Sequence, residues 1–181
     1  GYSLASFKRL FTDTALYNYP RWFANTLFVA AGSCILGTFL VILTAYTMSR
    51  FTFAARKPVM KITMVLGMFP SFMGMIAVYL LMTQLNLINH LWGLILIYSA
   101  GAPMGYLTQK GFFDTIPKAI DEAARIDGAT NFQVFMKINL PLSRPIIVYT
   151  ALSSFTWPWS DFILPKLLLK EKNLYKKGES A

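Results

Sequence analysis

Charge is scarce in this sequence. Only 14% of its 181 residues are Asp, Glu, Lys or Arg, whereas a soluble domain carries about 25%. Hydrophobic residues make up 55% of the chain. This composition argues against an ordinary soluble domain and is typical of a protein that lies in a membrane.

Side chains that could bind a metal or carry out catalysis are also rare. The chain has one cysteine, Cys34, and one histidine, His90, so it cannot form an internal disulfide and lacks the ligand cluster that a metal site needs. No stretch matches G-x-x-x-x-G-K-[ST], so we expect no ATP binding through a P-loop. We therefore expect neither an enzyme nor a bound cofactor or metal. Cys34 is interpreted as a small residue that faces lipid or another helix.

Acidic residues are fewer than basic ones. The chain holds 8 Asp and Glu against 17 Lys and Arg, which gives a formal net charge of +9. The basic residues lie between apolar blocks and do not form one patch, a distribution that is typical of loops on the cytoplasmic side of a membrane. We therefore expect the partner to be a lipid bilayer and not a nucleic acid.

Four apolar runs predict membrane-spanning helices, because a helix needs roughly 20 apolar residues to cross the hydrocarbon core. They cover residues 23–48, 59–82, 91–107 and 145–165. Pro70 lies in the second run and is expected to kink or break its helix. Gly101 and Gly105 in the third run form a G-x-x-x-G spacing, which is a weak signal for close helix packing.

The positions of Lys and Arg predict how these spans are oriented. Residues 49–58 hold three of them, residues 83–90 hold none, and residues 109–144 hold five. The first and third segments are therefore expected in the cytoplasm and the second outside. This orientation would leave the lysine-rich tail outside. We therefore expect the sequence to be a piece of a longer protein that has one more span at each end.

The polar stretch at residues 109–144 carries charge of both signs and helical patterning between two apolar runs. Pro117 suits the first turn of a helix, and Gly128 is predicted to end that helix in a left-handed conformation. One face of the helix is slim because small residues dominate it. This face consists of Ala119, Ile120, Ala123 and Asp127, with Ala124 beside them.

A second short helix is predicted after Gly128. Thr130 and Gln133 form a T-x-x-Q capping box that starts it, and Pro141 is expected to end it and to push Leu140 toward extended geometry. The exposed apolar face of the two helices would hold Ala123, Phe132 and Phe135. On pattern alone, this hairpin is either a docking element for a partner or an amphipathic segment that packs only on its own spans.

The same stretch resembles a known motif, the EAA loop in the membrane subunits of bacterial ABC importers that work with binding proteins. Seven positions match it without a gap: Glu122, Ala123, Ala124, Gly128, Ile138, Leu140 and Pro141. Stretches outside the loop are similar to the smaller permease subunit of the maltose-type branch. They include NTLFVA at 25–30, YTMSRF at 46–51, WGLIL at 92–96 and PWSDFILP at 158–165, and the resemblance covers about residues 19–168.

This resemblance implies an all-α fold, a polytopic membrane helix bundle of the ABC importer permease type that forms one domain over residues 1–181. It implies that the hairpin docks as coupling helices in a cleft of a cytosolic ABC ATPase dimer, which uses the ATP. The docking helix and its turn would be formed by Glu122, Ala123, Ala124 and Gly128. The return of the loop to the membrane would be set by Ile138, Leu140 and Pro141. A second permease subunit and an extracytoplasmic sugar-binding protein are the other implied partners, and the implied location is the bacterial inner membrane, crossed several times.

Candidates for a substrate path are less specific. Sugar paths combine aromatic rings with polar side chains, and six residues in or near the predicted spans fit this description. They are Tyr79, Asn86, Ser99, Tyr106, Ser153 and Ser154. Asp161 is the one acid near a membrane core, but tryptophans precede it, so we expect it at the membrane interface.

We therefore expect the permease subunit of an ATP-driven ABC sugar importer, with maltose or maltodextrin as the substrate. Within this class the alternatives are a permease for another sugar or for glycerol phosphate. A membrane scaffold protein that binds a cytosolic partner is the alternative from another class. A membrane-embedded enzyme would need paired ionisable residues inside the spans, and the sequence has almost none.

Overall fold

The computed structural model describes residues 11, 18–68, 73–101 and 105–169. Every regular element in these residues is helical, in agreement with the predicted all-α fold. The elements are α1 (Tyr19–Arg50), α2 (Arg56–Gly67), α3 (Met73–Gln84), α4 (Leu91–Gly101), α5 (Tyr106–Thr115), α6 (Lys118–Ile126), α7 (Asn131–Val134), a π-helical turn (Phe135–Asn139), α8 (Leu140–Leu142), α9 (Arg144–Ser160) and α10 (Ile163–Leu168).

Helix α1 is the element on which three of the other helices pack. It has 32 residues and is therefore about 48 Å long at 1.5 Å per residue. It contacts α4, α5 and α9. Its buried face carries small side chains about one or two turns apart, which lets neighbouring helices approach closely. They are Ala30, Ser33, Gly37, Ala45 and Ser49.

The buried apolar side chains form two clusters at opposite ends of α1. The cluster toward Tyr19 consists of Val29, Met82, Leu94, Ile95, Leu168 and Leu169. The cluster toward Arg50 consists of Val41, Ala45, Tyr46, Met48, Tyr106, Phe113 and Ile116. We call these the Tyr19 end and the Arg50 end. Because α4 contributes to the first cluster and α5 to the second, the chain passes from one end to the other between them.

The other helices can also be assigned to the two ends of α1. Val59 of α2 packs at the Arg50 end, and Met82 of α3 lies at the Tyr19 end. Trp159, near the end of α9, stacks on Phe23 with ring centroids 5.3 Å apart. Successive described segments of the chain therefore lie at alternate ends of α1. Large apolar side chains, such as Ile35 and Ile76, are exposed on these helices, which suits contact with lipid.

The helix boundaries differ in part from the predicted spans. The first span, 23–48, lies within α1, whereas 59–82 is divided between α2 and α3; the kink expected at Pro70 falls outside the described residues. By length and apolarity, α1 alone qualifies as a span, and α4 with α5 qualifies as a pair bent by 45°. The number of membrane crossings therefore stays a prediction.

Two helix boundaries fall inside predicted spans, whose own limits stay predictions. Helix α4 ends at Gly101 and α5 begins at Tyr106, so the polar stretch that starts at residue 109 begins inside a helix. Helix α9 ends at Ser160, and the side chain of the next residue, Asp161, binds the backbone amides that follow. One carboxylate oxygen of Asp161 accepts hydrogen bonds from the amides of Ile163 at 3.0 Å and Leu164 at 3.3 Å, which starts α10.

Two small residues lie at close contacts, one with a neighbouring helix and one with the turn before α4. Cys34 is expected to face lipid or another helix. It faces α9, where its thiol donates to the Ala151 carbonyl at 3.3 Å. A Cβ at Gly93 would lie 2.7 Å from the Leu87 carbonyl oxygen, so this position tolerates only glycine. By contrast, a Cβ at Gly101 or Gly105 would have no neighbour within 4 Å among the described residues. Within the part of the chain that the structure describes, the G-x-x-x-G spacing therefore shows no close packing.

Candidate functional site

The hairpin that follows α5 comprises α6, α7, the π turn and α8, and we call it the hairpin from here on. Pro117 precedes its first residue, Lys118, one position earlier than the first-turn position that the sequence predicts. Gly128 has a φ of 87°, so the predicted left-handed cap is confirmed. The Gly128 amide donates to the Arg125 carbonyl at 3.0 Å and the Ala129 amide to the Ala124 carbonyl at 2.9 Å. These two bonds form a Schellman motif, which ends α6 sharply.

The start of α7 is fixed by the predicted capping box. The Gln133 amide donates to the Thr130 hydroxyl oxygen at 3.3 Å, and the Thr130 amide donates to the Gln133 side-chain oxygen at 2.8 Å. Each of these two bonds pairs a backbone amide that has no partner within the helix. The turn between α6 and α7 is therefore held by local hydrogen bonds on both sides.

The predicted end of the second helix is wrong. Leu140 has φ −62° and ψ −49°, which is helical and not extended, and Pro141 lies inside α8. The reason is the π turn at Phe135–Asn139, after which the backbone begins a new helical segment. Pro141 occupies an early position of this segment, where its missing N–H is not needed. The hairpin thus leads through Ser143 into α9 with little interruption.

Helix α6 is oriented with Asp121, one of its two acids, inward and its apolar residues Ile120, Ala123 and Ile126 outward. Asp121 is buried, whereas Ile120 and Ala123 are exposed and Ile126 is 87% exposed. Phe132 of α7 is 69% exposed, as predicted. Phe135 is a correction to the predicted apolar face. Its ring packs on Tyr46 of α1 with centroids 4.5 Å apart, because the π turn carries it toward α1.

Three polar residues bind the hairpin to α1. Nε of Arg50 lies 3.0 Å from Oδ2 of Asp121, and these side chains are only 2% and 3% exposed. Nη2 of Arg50 donates to Oδ1 of Asn139 at 3.1 Å, and Nδ2 of Asn139 donates to Oδ1 of Asp121 at 2.9 Å. We call Arg50, Asp121 and Asn139 the anchor triad. Each member contacts the other two, which offsets part of the desolvation cost of the buried charges.

Further contacts strengthen the same junction. Nη2 of Arg50 also donates to the Ile116 carbonyl at 3.1 Å, between α5 and α6. The Ser49 hydroxyl donates to Oδ1 of Asp114 at 2.6 Å, and Lys110 forms an ion pair with the other oxygen of Asp114 at 2.5 Å. The last turn of α1 therefore holds α5, α6 and the π turn together.

The predicted coupling residues all lie on the hairpin. Glu122, Ala123 and Gly128 are exposed, and Ala124 is half-buried. On the return path, Ile138 and Leu140 are half-buried and Pro141 is exposed. Their assignment to ATPase coupling stays a prediction.

The six predicted path residues are not brought together. Tyr79 packs at the Tyr19 end, and Asn86 is exposed in the turn after α3 with a φ of 54°. Ser99 and Tyr106 are buried, the latter at the Arg50 end. Ser153 and Ser154 lie on α9, where Ser153 lines a shallow depression. Spacing in the sequence could not have selected residues that share one path.

A cleft of about 340 Å³ opens at the Tyr19 end between α1, α4, α9 and α10. Asp161 lies on its wall and accepts a hydrogen bond from the Tyr98 hydroxyl at 3.0 Å. None of the six predicted path residues lines this cleft. His90 is exposed in the turn between α3 and α4, and the described part of the chain holds no group of three possible metal ligands.

The sequence reasoning missed the anchor triad. Arg50 is the first charge after the apolar run of α1, and Asp121 directly precedes the EAA residues. These were the available signals, but neither indicates that the two side chains meet.

The arrangement of the described helices indicates the class of protein to which the chain belongs. They form a bundle of apolar helices around α1, with a polar, capped hairpin anchored at one end. The family described as "Binding-protein-dependent transport system inner membrane component" matches residues 37–176, and the chain belongs to this family. Its members are transport components, in agreement with the prediction that the chain is not an enzyme.

Individual relatives agree with this membership. The maltodextrin transport system permease protein MalD of Streptococcus pneumoniae is 39% identical over 171 residues, which is 94% of this chain and 60% of that protein. The galactooligosaccharides transport system permease protein GanQ of Bacillus subtilis is 39% identical over 174 residues, which is 93% of this chain and 60% of that protein. The maltose/maltodextrin permease protein MalG of Vibrio vulnificus is 34% identical, with 85% and 54% covered. The chain thus spans 60% of the length of the first two relatives.

A solved structure shares the fold. It is the crystal structure of a bacterial ABC transporter involved in the import of the acidic polysaccharide alginate, with a TM-score of 0.77 at 24% sequence identity. The match covers 85% of this chain and 54% of that one. The fold is therefore that of an ABC importer permease, as predicted.

Proposed function

We propose that this chain is the permease component of an ATP-driven ABC sugar importer, and that the hairpin docks on the importer's cytosolic ATPase. The reversed orientation of α6 carries this proposal. Asp121 is buried against α1, while Ile126 is 87% exposed. An apolar surface of this kind outside the predicted spans favours contact with another protein.

The hairpin also has the rigidity that a docking element needs. The Schellman motif at Gly128 and the capping box of Thr130 and Gln133 hold its turn, and the anchor triad fixes it to α1. When ATP closes the ATPase dimer, the docked hairpin would move as a rigid body and shift the spans between inward-facing and outward-facing states. This chain then needs no catalytic group and no ATP site of its own, because the ATPase hydrolyses the ATP.

The importer would contain a second permease subunit, two ATPase subunits and an extracytoplasmic sugar-binding protein. The membership of a binding-protein-dependent family supports this composition. The relatives support an oligosaccharide as the substrate, since the names of three of them refer to maltodextrin or galactooligosaccharides. We favour maltodextrin, with another sugar or glycerol phosphate as the alternatives.

Docking is tested by co-purification of the full-length subunit with its ABC ATPase from detergent-solubilised membranes. Ile126→Asp places a charge on the exposed apolar surface and should abolish co-purification while the chain still inserts in the membrane. Asn131→Asp is the matched control, because it adds the same charge to an exposed position at the start of α7, where a carboxylate is favourable. Equal co-purification of both variants would contradict the proposed docking.

The substrate is tested separately in proteoliposomes that hold the complete importer and its binding protein. We expect maltodextrins to stimulate ATP hydrolysis and to accumulate inside the vesicles. Stimulation by galactooligosaccharides or glycerol phosphate alone would overturn the choice of substrate. Stimulation by none of them, with an ATPase bound, would favour the scaffold alternative.

A further inference from the structure

We propose that the anchor triad transmits the movement of the hairpin to α1, so that Arg50 is a positioning residue of the transport cycle. This inference rests on the proposed docking of the hairpin. It adds the route by which the movement would reach the helix on which the bundle packs. The triad connects α1 to the hairpin through side chains, since the two are not adjacent along the chain.

The covalent connections of the hairpin lead elsewhere. Ile116 and Pro117 join it to α5, and Ser143 joins it to α9. Helix α1 is separated from it in the chain by α2, α3, α4 and α5. A movement of the hairpin would therefore reach α1 directly only through side-chain contacts. Those contacts are concentrated near the end of α1, at Tyr46 and Arg50.

The chemistry of Arg50 suits a firm link. Its guanidinium group contacts three separate segments, through Asp121 of α6, Asn139 of the π turn and the Ile116 carbonyl between α5 and α6. The hydrogen bonds among these contacts have defined directions, whereas apolar contacts can slide. Because the pair is almost fully buried, water and salt screen it little. The hairpin and the end of α1 are thus held in one orientation.

The π turn contributes to this geometry. It brings Asn139 into contact with both Arg50 and Asp121, and Asn139 also donates to the Val134 carbonyl at 3.5 Å. Single π turns inside α-helices are frequently found at functional sites. Here the turn supplies the residue that bridges the two buried charges.

A link that transmits movement must be distinguished from one that only stabilises the fold. The test uses the complete importer, in a background in which Cys34 and any further cysteine of the full-length subunit are replaced by serine. Arg50→Cys and Asp121→Cys are combined, which removes both buried charges together and avoids leaving one unpaired. A short, reducible bis-thiosulfonate linker then restores the connection covalently. The measured quantities are ATPase co-purification and sugar transported per ATP hydrolysed.

We expect the unlinked double variant to bind the ATPase normally but to transport roughly 10-fold less sugar per ATP, within the usual range of coupling effects. Linking should recover most of the transport, and reduction of the linker should abolish it again. The two single-cysteine variants, treated with the same reagent, should show no recovery. Native transport by the unlinked variant, or no recovery in a linked variant that binds the ATPase, would overturn the inference.

Arg50→Lys gives a second test that does not depend on the double variant folding. Lysine keeps the charge opposite Asp121, but its single ammonium group cannot reproduce the fork of contacts. We expect normal ATPase binding and a several-fold lower transport per ATP. Transport equal to that of the native protein would contradict the inference. If the native protein itself does not bind the ATPase, the proposed docking is contradicted instead.

Discussion

Arg50, the last residue of α1, lies 3.0 Å from Asp121 of α6, and both side chains are almost completely buried. This pair joins the helix at the centre of the bundle to the hairpin that is proposed to dock on an ATPase. Asn139 completes it through hydrogen bonds to both partners. The predictions below follow from this junction and from the hydrogen bonds that shape the hairpin.

Breaking the ion pair from one side should destabilise the protein strongly. Asp121→Ala leaves the Arg50 charge buried without its partner, which typically costs about 3–5 kcal/mol. Replacing both residues, as Arg50→Met with Asp121→Leu, should cost far less because no unpaired charge remains. Thermal unfolding of the purified subunit in detergent compares the variants. A double variant as unstable as Asp121→Ala would show that the buried charges do not form the interaction described.

Gly128 should not tolerate a side chain. Its φ of 87° costs another residue about 1–2 kcal/mol, so Gly128→Ala should lower the unfolding temperature. Gly111→Ala is the matched control. Gly111 lies inside α5 with ordinary φ and open space around it, and alanine there should raise stability by about 0.5–1 kcal/mol.

A stronger change at the same turn should remove the docking. Gly128→Pro cannot donate the amide hydrogen bond to Arg125 and cannot adopt a positive φ. We expect the chain to insert in the membrane but not to co-purify with its ATPase. Co-purification at the native level would show that the geometry of this turn is unimportant for docking.

The capping box should contribute measurably to the hairpin. Thr130→Ala removes the hydroxyl that accepts from the Gln133 amide, at a cost of about 1 kcal/mol. Amide hydrogen exchange at Gln133 should become faster, while Thr130→Ser should leave it nearly unchanged. Equal exchange in all three proteins would argue that the cap is not formed in solution.

Glu122 is predicted to contribute to the docking through its charge. It is exposed on α6, beside the apolar residues Ala123 and Ile126. Glu122→Lys should abolish ATPase co-purification without affecting insertion, whereas Glu122→Gln should weaken it only partly. If Glu122→Lys binds the ATPase as the native chain does, the charge at this position has no part in the interface.

The local features of the hairpin could be predicted from the sequence because short-range chemistry determines them. Gly128 as a left-handed cap and the box of Thr130 and Gln133 depend on residues within one or two turns. The end of the second helix was predicted wrongly, since a π turn before Pro141 has no signal that the sequence makes visible. The fold class followed from the apolar runs and the EAA resemblance.

Contacts between distant parts of the chain could not be predicted in this way. Arg50 meets Asp121, and Phe135 packs on Tyr46, only because α1 lies beside the hairpin in the folded protein. The exposure of Phe135 was therefore predicted wrongly, and the anchor triad was missed. The six path residues were chosen by chemical type alone, which does not determine whether they line one space.

Cross-linking from position 126 tests the docking of the hairpin most directly. Ile126→Cys in the Cys34→Ser background, treated with a thiol-to-amine cross-linker in native membranes, should give an adduct between this subunit and the ABC ATPase. Asn86→Cys, exposed at the Tyr19 end, should give none under the same conditions. Cross-linking to the ATPase from position 86, or its absence from position 126 in an importer that transports sugar, would contradict the account.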